Sequence, residues 1–191
     1  MGILFIYDTM ENVEINALIK NRWSPRELTG GKVTETQVNA LFEAARWAAS
    51  WRNSQPWRFI YATPREAAWD QLFGCLMEAN QQWVKTASLL ILTVVQKEDT
   101  AHGVKLGYSW HDLGLAMGNM TYQAMSMGLY LHNMAGFSKE KAVETFAIPD
   151  LFEPVTMIAV GTIAPSTQPP AERIRRPLEK IIFNGSWDEM I

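Results

Sequence analysis

The 191-residue chain has one cysteine, Cys75, so it cannot form an intramolecular disulfide framework or a cysteine-rich metal site. Cys75 lies in the apolar run LFGCLM, which predicts a buried, inert thiol. A lone cysteine is compatible with a cytoplasmic setting. No excess of either charge stands out: 17 Lys and Arg face 20 Asp and Glu, a formal net charge of −3. That balance excludes a chain-wide basic field for nucleic acid. The three histidines, His102, His111 and His132, have no metal-ligand spacing with each other or with cysteine, which argues against structural zinc. GxSxG, Walker-type and GxGxxG motifs are absent. The early apolar stretch lacks a basic start and turns acidic quickly, unlike a signal peptide. A long uncharged run, residues 113–131, is interrupted by Asn119, Thr121, Gln123 and Ser126 and abuts His111 and Asp112. It reads as a buried helix rather than a membrane span.

What is present is apolar bulk. The chain is 48% hydrophobic, with eight Trp and ten Met, and 19% charged. This composition suits one globular domain, residues 1–191, with a core that needs no staples. Periodicity predicts helices over about 11–20, from Thr34 to about Trp51, over 65–80, 107–127 and from Ser138 to 146. Thr34 with Gln37 three residues later is a capping-box pair, and Gly128 a helix stop. Strands are predicted at 57–62, 88–95, 129–133 and 155–161, with Pro149 and Pro154 bracketing a loop and a last strand candidate at 180–183. The mixture predicts an α+β fold, helices around one sheet.

Four polar clusters could carry chemistry. Arg22, Ser24 and Arg26 alternate in NRWSPR, so an extended backbone aims all three one way; they suit a phosphate or form a solvated turn. Arg173, Arg175 and Arg176 form a second basic stretch in a Pro-rich tail, which taken alone reads more readily as a solvated tail; a bound phosphomonoester would explain both stretches. SWRNSQPW offers Ser50, Arg52, Asn53 and Gln55 beside Trp51 and Trp57, able to read the polar edge of a heteroaromatic ring or simply to cap a helix. In HNMAGF, Gly136 permits a turn with outward N–H groups. With no positioned nucleophile or metal, the chemistry falls to a cofactor.

These segments resemble the nitroreductase family: NRWSPREL its Arg-x-Ser-x-Arg/Lys segment, SWRNSQPWRFIYA its Ser-x-x-Asn-x-Gln-Pro-Trp stretch, DLGLAMGNMTYQAMSMGL its long central helix, NMAGF its Gly-Phe loop, and VGTIAP with RIRRPLEKII its last strand and basic tail. The resemblance covers about residues 15–183 in the family's order. It implies a mostly antiparallel sheet, a long central helix at a homodimer interface, and a C-terminal tail, near 181–183, exchanged with the partner. It implies FMN, reduced by NADH or NADPH that binds transiently, and a small acceptor such as a nitroaromatic or quinone, with no nucleic acid or membrane partner. Arg22, Trp23, Ser24 and Arg26 would bind the phosphate or ring from one side, Arg173 and Arg175 the phosphate, and Ser50, Trp51 and Asn53 the ring from the other subunit. No side chain is implied as catalytic; the backbone N–H of Ala135 or Gly136 would approach flavin N5. Ala135 departs from the acidic residue common there, and Trp23 from a frequent basic one. Dehalogenation or dehydrogenation on the same fold, and flavin binding without turnover, are the alternative readings. Tyr108 and His111, at the start of the central helix, could sit over the site.

Overall fold

The computed structural model describes residues 13–99, 104–171 and 173–187. In chain order the elements are α1 (Ala17–Asn21), α2 (Glu35–Arg46), a 3₁₀ turn (Trp51–Asn53), β1 (Trp57–Ala62), α3 (Ala67–Cys75), α4 (Glu78–Val84) and β2 (Leu89–Gln96). They continue with the two-residue strands β3 (Glu98–Asp99) and β4 (Val104–Lys105), then α5 (Ser109–Ser126), β5 (Tyr130–Met134), α6 (Lys139–Phe146), β6 (Phe152–Gly161) and a 3₁₀ turn (Leu178–Lys180). Four strands form one sheet in the order β1-β2-β6-β5, with every neighbouring pair antiparallel. The expected α+β architecture is therefore observed.

The sheet divides the core in two. Successive residues of a strand point to opposite faces, and β2 is apolar on both. Leu90, Leu92 and Val94 join Trp69, Leu72, Ala142 and Met157 on one face. Leu89, Ile91 and Val95 join Leu41 of α2 and Leu113, Ala116 and Met120 of α5 on the other. Each Leu, Ile, Val and Met among them contributes about 1.5–3 kcal/mol by leaving water, the alanines less. Cys75 belongs to the first cluster and is 2% exposed; burial pushes its thiol pKa up, which keeps the unreactive protonated form. No helix among the described residues is long and apolar enough to cross a membrane.

Local signals set several boundaries. Thr34 caps α2, with its side chain bonded to Gln37 N and the Gln37 side chain returning to Thr34 N. Gly128, at φ +71°, ends α5, and Ser138 caps α6.

Other expectations need correction. The first helix covers only Ala17–Asn21, held by the Asn16 side chain accepting from Leu18 N; residues 13–16 are not helical, and 11–12 lie outside the described residues. Helix α2 stops at Arg46 because the chain beyond Trp47 is drawn into a different contact, described below. The span 65–80 is two helices, broken where Leu76 leaves helical geometry to pair with Phe137. Strand β6 starts at Phe152 and includes Pro154. Pro154 lies opposite Val94, beside a register shift, so its missing N–H falls where the ladder is already irregular. Residues Ile181–Phe183 form no strand; a ladder needs a neighbour, and this segment has none among the described residues.

Candidate functional site

The segment carrying Arg22, Trp23, Ser24 and Arg26 runs beside the edge strand β5. Arg22 Nη1 donates to Ser24 Oγ at 3.1 Å. Trp23 meets Tyr130 edge-on, with ring centroids 6.1 Å apart. The carbonyl of Pro25 accepts from His132 Nδ1 at 3.0 Å, which fixes the proton on that nitrogen. Thr29 then ties the chain to the end of β6, its N–H donating to Thr162 O at 2.9 Å. The late basic stretch returns to this place: Arg173 Nη1 donates to the carbonyl of Arg22 at 3.0 Å, across 151 residues of sequence. Arg175 does not join them. It is exposed, and its guanidinium bonds the carbonyl of Ile174.

His132 is half-buried against Trp83, with ring centroids 4.6 Å apart. Burial pushes its pKa down and the Arg26 charge adds to that, while the carbonyls of Pro25 and Ser24 oppose it. A histidine whose folded pKa lies below its ordinary 6.5 binds fewer protons than the unfolded chain, so stability drops on acidification through that value. We expect the melting temperature to decline below about pH 6.5. His132→Asn should flatten part of that decline. Parallel curves for the two proteins between pH 7.5 and 5.5 would exclude this role (~ two pH units span the imidazole range).

Immediately after β5, the Gly-Phe loop is pinned to the break between α3 and α4. Gly136 O accepts from Met77 N at 3.0 Å and from Asn80 Nδ2 at 2.9 Å. Among the described residues no acceptor faces the N–H of Ala135, which is exposed, or of Gly136. A Cβ on Gly136 would lie 2.7 Å from Asn80 Nδ2. Gly136→Ala should therefore cost about 1–3 kcal/mol in denaturant unfolding. Adding Asn80→Ala should recover part of it; an additive double variant would sink the steric explanation.

Ser50, Trp51 and Asn53 stand elsewhere. They precede β1, at the opposite edge of the sheet from β5. Ser50 Oγ accepts from Gln55 N at 3.0 Å, and Trp51 N donates to Asp112 Oδ2 at 2.9 Å. The second contact is what draws the chain away from α2. Arg52, Asn53 and Gln55 have φ of 49°, 57° and 45°, left-handed values rare outside glycine. Such strain gathers where surroundings over-determine a loop, often at functional sites. Trp51 lies 6.2 Å from Tyr108 between ring centroids, and both line a cavity of about 230 Å³ with Ser50 and His111.

Two cationic segments and a loop with free N–H groups thus share one edge of the sheet, while an aromatic, amide-rich loop holds the other. Among the described residues no group of His, Cys, Asp and Glu is arranged to hold a metal. A phosphate would suit the first place, where the Arg22 guanidinium meets the Ser24 hydroxyl and Arg173 reaches the Arg22 carbonyl, and the acceptor atom of a ring would suit the N–H groups of Ala135 and Gly136. Sequence reasoning missed Asp112. It is the only acidic residue in α5, and it stands four before Ala116 on the buried stripe with Met120, a position apolar periodicity reserves for the core.

The arrangement is that of an α+β protein built on one four-stranded antiparallel sheet. The chain belongs to the nitroreductase family, whose model matches residues 19–82 and 67–162. An uncharacterized 15.4 kDa protein of Mycolicibacterium smegmatis is 32% identical over 120 residues, 59% of this chain and 80% of its own. The crystal structure of an oxidoreductase containing FMN is similar at a TM-score of 0.84, with 31% identity, over 92% of this chain and 94% of that one. A nitroreductase family protein from Clostridium difficile 630 has a TM-score of 0.73 and 25% identity, over 89% and 97%.

Proposed function

We propose that this chain is an FMN-dependent oxidoreductase that moves hydride from NADH or NADPH to a small acceptor, a nitroaromatic or quinone, and works in the cytoplasm as a homodimer. The observation that carries the reading is the Arg173–Arg22 contact, which brings the basic tail onto the basic segment. Arg22, Ser24, Arg26 and Arg173 would hold the phosphate, with Arg175 available from the exposed tail. Trp23 would border the same place. Along β5, His132 to Ala135 is three residues, about 10 Å, so the cofactor's ring would lie by the N–H groups of Ala135 and Gly136. FMN held there would supply the two-electron hydride chemistry between nicotinamide and acceptor. The N–H donors there would favour negative charge, and the protein contributes orientation and electrostatics.

The second copy has a stated task. Ser50, Trp51 and Asn53 stand at the far edge of their own sheet, so the partner's loop would have to supply the ring contacts. Large apolar side chains exposed on one chain fit such an assembly. Trp47 is 74% exposed and Tyr108, Trp110 and Leu115 of the central-helix region are also open, as are Ile181, Ile182 and Phe183 of the tail. The tail would cross to the partner.

The test is the absorption spectrum of purified protein, anaerobic titration with each nicotinamide, and mass by light scattering. We expect a bound flavin spectrum, bleaching by at least one nicotinamide, recovery with a quinone, and twice the monomer mass. A protein that takes up no flavin in excess FMN would end the proposal; flavin binding without bleaching would leave only a binding module.

A further inference from the structure

Asp112 is 3% exposed, a burial that a carboxylate tolerates only with partners. It has two. Oδ2 accepts from Trp51 N at 2.9 Å, and Oδ1 lies 3.1 Å from His111 Nδ1. A carboxylate oxygen can only accept, so Nδ1 carries the hydrogen and Nε2 is left on the far side of the ring. The His111 side chain is 67% exposed, so water reaches it. It also lines the 230 Å³ cavity whose other walls are Ser50, Trp51, Tyr108 and Leu115. One buried acid therefore fixes both the loop proposed to face the ring and the histidine next to it.

We propose that His111 is the proton donor to the acceptor and Asp112 the residue that positions it. This rests on the flavin reading above. Reduction of a quinone to a hydroquinone takes one hydride and one proton. The hydride, with both electrons, originates in the nicotinamide and arrives by way of the reduced cofactor. The proton leaves Nε2 of the imidazolium for the acceptor oxygen, and the neutral imidazole is recharged from water. Without that proton the product would be an anion against Trp51 and Leu115, an unfavourable place for one. Among the described residues, Asp112 on its own helix and Tyr108 preceding the helix line the same cavity as His111, and Arg52 stacks its guanidinium 4.8 Å from the centroid of Trp51. Of these, only the imidazole is both oriented by a buried carboxylate and open to water.

The test uses FMN-loaded protein in anaerobic stopped flow, with bleaching by NADH or NADPH and reoxidation by 1,4-benzoquinone followed separately across pH. Flavin affinity is measured for each variant. In the unmodified protein, reoxidation should slow with rising pH through one ionisation. His111→Gln should slow it about a hundredfold and abolish that ionisation, with the loss confined to reoxidation. Asp112→Asn should keep the ionisation at a lower ceiling. Side-chain ¹⁵N NMR, which needs no turnover, should show His111 with the hydrogen on Nδ1, and a mixture in Asp112→Asn. Wild-type reoxidation and pH profile in His111→Gln would overturn the proposal, as would an ionisation that disappears in Tyr108→Phe, or an Nε2–H tautomer in the unmodified protein. If the unmodified protein binds no flavin or is not bleached, the flavin reading fails and this proposal falls with it; normal bleaching with unaltered His111→Gln reoxidation defeats the dyad alone.

Discussion

Arg22→Ala combined with Arg173→Ala should weaken FMN binding by roughly two to four orders of magnitude, read by fluorescence quenching on titrating flavin into apoprotein. Each lost charge-assisted contact is worth about 1.5–3 kcal/mol, and each 1.4 kcal/mol is about tenfold in affinity. The two residues are joined, Arg173 Nη1 resting on the Arg22 carbonyl, so the double variant should lose less than the sum of the singles. Arg173→Ala removes both a cation and the tether that lays the tail against residues 22–26. Arg175→Ala, whose guanidinium bonds its own neighbour's carbonyl, should cost less. Equal losses from Arg173→Ala and Arg175→Ala would show that the tether is immaterial, and undiminished affinity in the double variant would remove the phosphate assignment.

Ile91→Ala should lower unfolding free energy by about 2–5 kcal/mol in urea, with the higher end set by how little the site can collapse. Ile91 is fully buried at the middle of β2, between two paired strands, Tyr61 opposite on one side and Ile158 on the other. It belongs to the core layer shared with α2 and α5, so the cavity would open directly beneath the helix that carries Asp112. A loss under about 1 kcal/mol, the typical effect of a point substitution, would mean that β2 is not the centre of the core.

The elements that were legible in the sequence are those whose cause is local. The Thr34–Gln37 box, the Gly128 stop and the Ser138 cap each need only a few neighbouring residues, and each lies where expected. The unbroken apolar run of β2 likewise announced a strand buried on both faces. What failed was decided by distant partners. The helix expected over 65–80 breaks because Leu76 pairs with Phe137, 61 positions away, and Pro154 is admitted to a strand because the register against β2 shifts beside it, leaving Val155 without a partner. In the candidate site, residue types and spacing singled out both arginine stretches. They did not distinguish Arg173 from Arg175, because an exposed tail has no periodic burial to say which side chain turns inward. Asp112 was hidden for the opposite reason: its helical register matched a core position, and nothing nearby revealed the Trp51 amide that satisfies it.

The pairing of β2 with β6 bears on how the chain is made. Leu92 lies opposite Met157, so 65 residues must be synthesised after Leu92 before its partner in β6 exists. At about 5–20 residues per second that is several seconds on the ribosome. During that interval β1 can cover one side of Leu89–Gln96, but the other side remains an apolar edge open to other nascent chains. Slower growth temperatures or a holding chaperone should accordingly raise soluble yield more than any change to the finished molecule's surface.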